Sequence, residues 1–516
     1  MNEKRQVASN MVAQTLSFVV SIMVSFFLTS FIVDKIGTSA YGFVGLSNNV
    51  TNCIVAFTIA INSLANRYIT IAYVEKNYSK ANRYYSSAVA ANVIVVAAMI
   101  LPIVFLIIYL EKVVNIPVQH IMDVKMLWAF VFLVYAMQLI FGRMEVATFA
   151  TNRLDLSAMR NLESNIIKFA LSLVLYMMLS PKVYYVGVVA LICAVYVILF
   201  NKRYMNTLVP DIKFSVKDIN KSATFDMISN GMWNSANHIS QILFNGLDLL
   251  IANLFIGPVG MGILSIAKTI PTHIITFIGT ISSVFYPNMT ISYAKGNSED
   301  FIKETNFAIK LCGYICSIPI IAIIVYSKAF YGLWLPSLDA IQINEIHLLS
   351  VITLIPQLFS VYLFPLYQVN TLTCKLKTPS IVNMVLGFVN IASVFLLLKF
   401  TDFGLYAIAG VSSILLGLRV LIFMPLYAAS NIKRKLTTFY PPLISGVILN
   451  IILVAVFYAI NYLVNIDGLI SFVITCAVSC ILGYIIGVFV IFNKADRMII
   501  IDVMAKKVNS LIKRRK

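Results

Sequence analysis

Residues 225–256 read FDMISNGMWNSANHISQILFNGLDLLIANLFI. The stretch is long enough to cross a bilayer, yet Asn230, Asn234, Asn237, His238, Gln241, Asn245 and Asp248 recur along it at helical spacing. At about 100° per residue they share one arc of roughly 100°, and the rest of the surface is apolar. Amides and a carboxylate in hydrocarbon are costly unless satisfied. The stripe therefore faces other helices or water, and it predicts a polar cavity inside a bundle of membrane helices.

The rest of the chain agrees. It has 516 residues, 60% hydrophobic and 12% charged, against about 25% charged in a soluble domain. The expected class is an all-α integral membrane protein. Apolar stretches of about 20 residues or more number about fourteen, near 7–33, 42–74, 84–110, 125–150, 161–180, 183–201, 225–256, 262–293, 304–330, 343–370, 380–400, 404–428, 440–464 and 469–492. The net charge of +18 is unevenly placed: with the N-terminus inside, cytoplasmic segments hold 27 of the 39 Lys and Arg. This is the positive-inside asymmetry, and it predicts cytoplasmic termini. The tail KKVNSLIKRRK (506–516) then reads as a contact with anionic membrane lipid, not nucleic acid. The seven scattered cysteines lack CxxC spacing, and the four histidines form no metal-ligand cluster, so no cofactor is expected. No cleavable signal peptide is apparent.

The chain repeats internally. At an offset of 220, residues 9–88 match 229–308 without a gap, with fifteen identities in 80 positions. They include Asn10/Asn230, Gly37/Gly257, Gly42/Gly262, Tyr73/Tyr293 and Asn77/Asn297. The stripe repeats as well: Asn10, Gln14, Ser17, Ser21 and Ser25 align with Asn230, Asn234, Asn237, Gln241 and Asn245. Loop 151–160 has a counterpart in 369–379. An even number of spans separates the copies, so they share one orientation, the parallel type of transporter repeat. The expected layout is an N-terminal lobe (1–201), a cytoplasmic linker (202–224), a C-terminal lobe (225–428), two unmatched spans (429–493) and a basic cytoplasmic tail (494–516). Two six-helix lobes of this kind enclose a midplane cavity.

Intramembrane charges are candidate functional groups. Arg67 (NSLANRYIT) borders a polar face of Asn48, Asn52, Ser63, Asn66 and Thr70. Lys268 (SIAKTIPTHIIT) shares a face with Thr272, Thr276 and Ser283, and Pro271 is expected to kink that helix. Arg419, Lys168 and Arg143 complete the five bases, with snorkelling to the interface as the competing reading for Arg67, Arg419 and Lys168. Asp248 is either a partner for Lys268 or a coupling-ion site, and His238 and Glu145 are the other candidates for coupling to H⁺ or Na⁺. A lining of Asn230, Asn234, Asn237, Gln241, Asn245 and Gln14 with a surplus of bases suits a hydroxyl-rich anion carrying phosphate.

These residues resemble the Wzx-type O-antigen and capsule flippases of the MOP superfamily. The carriers are the fourteen spans, the opening NMVAQTLSFVVSIMVSFFL, the turn VDKIGTSAYGFVGL, NSLANRYIT, ATFATNRLDLS and ANLFIGPVGMGILSIA. The resemblance covers the whole chain. It implies two six-helix lobes packed as a V plus two further helices in the bacterial inner membrane. It also implies alternating access that carries an undecaprenyl-pyrophosphate-linked glycan from the cytoplasmic to the periplasmic leaflet for lipopolysaccharide O-antigen, capsule or exopolysaccharide synthesis, alongside the polymerase of that pathway. Arg67, Lys268 and Arg419 are the candidates for the basic cavity. A MATE-type H⁺- or Na⁺-coupled drug antiporter is the rival on the same fold, with Asp248 in its favour. A membrane polymerase or glycosyltransferase is disfavoured by short external loops and the lack of an acid pair at catalytic spacing, so a transporter is expected rather than an enzyme.

Overall fold

A computed structural model describes residues 3–296, 298–373 and 375–492. The basic tail 494–516 and Asn297 of the repeat lie outside the described residues. All regular structure among the described residues is helical, as expected where hydrocarbon forces each segment to satisfy its own backbone. The first half runs α1 (Glu3–Val74), α2 (Tyr78–Ile108), α3 (Leu110–Val113), α4 (Ile121–Phe141), α5 (Val146–Ala150), α6 (Leu154–Met178) and α7 (Tyr185–Leu208). The second runs α8 (Lys221–Gln241), α9 (Asp248–Phe255), α10 (Pro258–Ala267), α11 (Thr269–Ser283), α12 (Tyr286–Ala294), α13 (Ser298–Trp334), α14 (Ala340–Leu363), α15 (Pro365–Leu372), α16 (Lys377–Phe400), α17 (Leu405–Leu418) and α18 (Met424–Asn431). Last come α19 (Tyr440–Leu463) and α20 (Leu469–Ile491).

Among the described residues, eleven segments are long and apolar enough to span a membrane. One of them, Ser9–Ala56, passes through Gly37 (φ 81°, ψ 165°) and so holds parts of two traverses. A hydrogen bond of 2.9 Å between the Thr29 and Tyr41 hydroxyls shows the chain folding back there. The charged α6 and the polar α8–α9 segment fall short on hydropathy, not on length. Counting these three with the eleven gives the fourteen traverses expected.

The repeat has a backbone explanation. Gly37 and Gly257, one offset apart, both have positive φ (81° and 117°), a conformation that a Cβ opposes. The same offset joins Lys76 (φ 57°) to Gly296 (φ 71°) in the turns that end each copy's second span. Gly42 and Gly262 meet each other: a Cβ on Gly42 would lie 2.9 Å from Gly262 N, and one on Gly262 would lie 2.2 Å from the Thr38 carbonyl oxygen. The two equivalent turns therefore pack backbone against backbone.

The chain forms two compact units. One comprises 1–266 and 377–408, the other 267–376 and 409–516. In the first, α1 packs against α2, α6 and α8, and α8 is flanked on its other side by α16. A core of Ala65, Ile69, Ala72, Tyr85, Ala147 and Met227 joins α1, α2, α5 and α8. The stretch 202–224 is only partly linker, since α7 continues to Leu208. The remainder of the linker is strapped to α2: Asn220 N donates to Ser87 Oγ (2.9 Å), Ser215 N to Ser86 Oγ (3.0 Å) and Lys213 N to Asn82 Oδ1 (2.8 Å). The Asn220 side chain then caps α8 by accepting from Ala223 N at 3.1 Å.

In the second unit α13 is the central helix, packed by α14, α19 and α20. The buried Tyr362 ring fills the space left by Gly313 and Gly446, and its hydroxyl lies 3.2 Å from the Gly446 carbonyl and 3.1 Å from Asn450 Oδ1. The Tyr326 hydroxyl meets Ser479 Oγ at 2.7 Å. The final helices thus lock onto α13 and α14 through small residues and tyrosine hydroxyls. Ile448, Ile451, Ile474, Ile481 and Phe489 on their opposite faces are exposed, as suits lipid contact.

Candidate functional site

The polar stripe is not one continuous α-helix. It consists of α8, a π-helical turn at Ile242–Gly246, and α9. Asn245 and Gly246 are weak helix formers, and a wide turn there loosens the backbone ladder. Asn390 on α16 donates from Nδ2 to the Phe244 carbonyl at 3.1 Å, supplying a partner inside that turn. Asn383, one heptad earlier, reaches Asn237 Oδ1 at 3.4 Å. Sequence reasoning missed these two amides. Their signal is the spacing of seven in an otherwise apolar span.

The other flank of α8 rests on the second traverse of α1. Gly231 permits this approach, since a Cβ there would lie 1.9 Å from the Ala60 carbonyl oxygen. Asn234 Nδ2 donates to Ser63 Oγ (3.1 Å) and Ser235 Oγ to the Ala56 carbonyl (3.1 Å), while His238 Nε2 lies 3.2 Å from the Asn52 carbonyl. Asn230 donates to the Asp226 carbonyl at 2.8 Å. Despite these bonds, Asn230, Asn234, Asn237, Gln241 and Asn245 are all exposed, and His238 is half-buried. Asp248, just past the π-turn, is buried at 2% exposure. The result is an open row of amides over about four helical turns.

Arg67 stands one turn beyond Ser63 on α1, exposed, and makes no hydrogen bond or ion pair among the described residues. Arg143 is held differently. Its Nη1 donates to the Asn62 carbonyl (3.2 Å) and Asn66 Oδ1 (3.4 Å), and its buried Nε has no partner among the described residues. A cleft of about 500 Å³ beside the first traverse is lined by Gln14, Ser17, Ser21, Glu145, Asn161 and Asn165 among others. Lys168 follows Asn165 on α6 and is half-buried.

In the second unit the helix breaks at Lys268, between α10 and α11. Pro271, three residues on, cannot donate to the carbonyl preceding this break. Thr272, Thr276, Thr280 and Ser283 form an exposed hydroxyl row from there. Arg419 opens a second π-helical turn, Arg419–Phe423. It donates from Nη2 to the Tyr367 hydroxyl, sits 5.6 Å from that ring's centroid, and keeps a buried Nε without a partner among the described residues. Asp248 belongs to the first unit and Lys268 to the second. Among the described residues no three His, Cys, Asp or Glu side chains converge as a metal site.

One polar knot was not foreseen. Asn10 is buried and ties the first traverse to loop 151–160, donating to Asn152 Oδ1 (3.0 Å) and accepting from Asp155 N (2.9 Å). Gln6 Nε2 donates to Asp155 Oδ1 at 2.9 Å, and Arg153 Nε lies 3.0 Å from the same oxygen. Burial pulls the Asp155 carboxyl upward. The hydrogen bond and charge of Arg153, with the Gln6 amide, outweigh it and hold the group below its ordinary value. Asn152 has φ 55°, which an asparagine tolerates. Asn10 and Asn230 are equivalent by sequence, yet one is a buried fastener and the other is open.

No protein-family model matches the chain. The chain is 29% identical over 422 residues to the uncharacterized membrane protein EpsK of Bacillus subtilis (strain 168), covering 81% of this chain and 82% of that one. Its structure is similar to an inward-facing multidrug resistance MATE family transporter of the MOP superfamily, with a TM-score of 0.65, 13% identity, and 83% of this chain and 97% of that one covered. It is also similar to the lipid II flippase MurJ in an inward closed conformation, with a TM-score of 0.64, 13% identity, and 93% and 97% covered. The chain is thus a multi-pass membrane protein with the fold of MOP-superfamily transporters.

Proposed function

We propose that the protein is a flippase for a polyprenyl-pyrophosphate-linked oligosaccharide, placed in the bacterial cytoplasmic membrane with both termini inside. The observation that carries the reading is the open row of amides along α8 and its π-turn beside Arg67, which is unpaired among the described residues. Amides exchange hydrogen bonds with sugar hydroxyls as donors and as acceptors, and an unpaired guanidinium in a low-dielectric setting attracts phosphate. The hydroxyl row after Lys268 and the pair of Arg419 with Tyr367 offer the same chemistry in the second unit. The similarity to the lipid flippase extends over 93% of the chain against 83% for the drug transporter, a difference of about 50 residues, the length of two spans. That supports a frame of fourteen traverses over one of twelve. Alternating access, driven by H⁺, Na⁺ or the membrane potential, is the mechanism this frame suits.

Deleting the gene and measuring the leaflet accessibility of the lipid-linked glycan tests the proposal. The glycan should accumulate on the cytoplasmic side and return outward on complementation. Normal outward exposure in the deletion strain would sink the flippase reading. Glu145 in its polar cleft and the buried Asp248 favour a second reading, a cation-coupled drug antiporter. Drug hypersensitivity of the deletion strain with normal glycan exposure is its signature.

A further inference from the structure

A second cleft, of about 430 Å³, opens where α6 begins and α7 ends, away from the amide row. Leu156, Phe200 and Leu208 supply its apolar lining, and Arg160, Arg203 and Tyr204 its polar groups. Arg160 is fixed in place. Its guanidinium stacks 4.5 Å from the Phe200 centroid, Nη1 lies 2.6 Å from Glu163 Oε2 and 3.3 Å from the Tyr196 hydroxyl, and its buried Nε has no partner among the described residues. Arg203, a turn from the end of α7, is exposed and its side chain forms no ion pair among the described residues, and Lys202 beside it is exposed too. The nearby carboxylates are already engaged: Glu163 by Arg160 and the Tyr196 hydroxyl, Asp155 by Arg153. The cleft therefore carries a positive excess, supplied by the exposed Arg203 beside an Arg160 that is braced on an aromatic ring and spends Nη1 on Glu163 and Tyr196.

We infer that this cleft binds the headgroup of an anionic glycerophospholipid. Its two walls start and stop at one edge of the apolar spans, the level at which headgroups lie. Guanidinium groups match a phosphodiester's oxygens in pairs, while Leu156, Phe200 and Leu208 match the glycerol and first acyl carbons. Basic pockets between helices on the cytoplasmic side are a recurrent form of lipid recognition. A free phosphate would use the arginines and leave the apolar wall idle.

The test is native mass spectrometry of the full chain in detergent, titrated with phosphatidylglycerol or phosphatidylcholine. Phosphatidylglycerol should bind in preference. Arg203→Ala should weaken it about fivefold, the worth of one basic residue near a membrane, Arg203→Lys should retain part, and phosphatidylcholine binding should not change. Arg160→Gln should weaken binding further. Because Arg160 also packs its helix, melting temperatures are compared, and the exposed Arg203 keeps the test decisive if Arg160→Gln fails to fold. Equal binding of the two lipids, or phosphatidylglycerol binding untouched by Arg203→Ala, overturns the inference. Displacement of the lipid by equimolar inorganic phosphate overturns it in favour of a free-anion site.

Discussion

At the residue scale, the bases differ in what they are free to do. Arg143 and Arg419 each spend part of their fork on protein groups, whereas Arg67 spends none among the described residues. We expect Arg67→Ala and Lys268→Ala each to lower glycan export about tenfold or more, the worth of a charge-assisted hydrogen bond to phosphate, with near-normal melting temperature. Normal export by both variants would show that neither base serves the proposed export. Asp155 makes a different prediction. Its folded carboxyl lies below its ordinary value, so protonation favours the unfolded chain. The stabilisation is complete above pH about 4 and is lost as the pH falls further. The melting-temperature gap between wild type and Asp155→Asn should therefore narrow below that pH. A gap constant from pH 7 to 3 would show that Asp155 acts without its charge.

At the element scale, the turn pair governs how the repeated hairpins meet. Adding a methyl at Gly262 drives it into the Thr38 carbonyl, a backbone atom that cannot rotate away. Overpacking of this kind costs about 1–3 kcal/mol, so Gly262→Ala should lower the melting temperature by several degrees. Gly410→Ala is the control, since its Cβ would meet nothing within 4 Å; equal effects of the two changes would mean that the turn contact contributes nothing. The same scale explains what the stripe became. Its amide periodicity is plain in the sequence, but the π-turn that divides it is not. Inside that turn the Phe244 carbonyl takes its side-chain partner from Asn390, nearly 150 residues away. Asn10 and Asn230 teach the same lesson: neither residue's own sequence context distinguishes a fastener from an open amide, because the difference lies in what loop 151–160 brings to Asn10.

At the scale of the whole molecule, leaflet accessibility of the glycan is the measurement that decides the proposed flippase function, since transfer across a bilayer is a property of a whole transporter and not of any one element. The sequence by itself determined the membrane class, a frame of about fourteen traverses, the repeat and the polar face of residues 225–256. Each of these follows from local hydropathy, helical periodicity or a glycine that a turn requires, and none needs a distant partner. Tertiary structure alone decided that α8 lies between α1 and α16, that Arg419 meets Tyr367, that Arg67 meets no partner among the described residues, and that Arg160 is braced over Phe200. Those are properties of pairs. Whether a polar side chain inside a membrane protein is spent or available depends on the residue opposite, and sequence periodicity reports which way a side chain points but not what it meets.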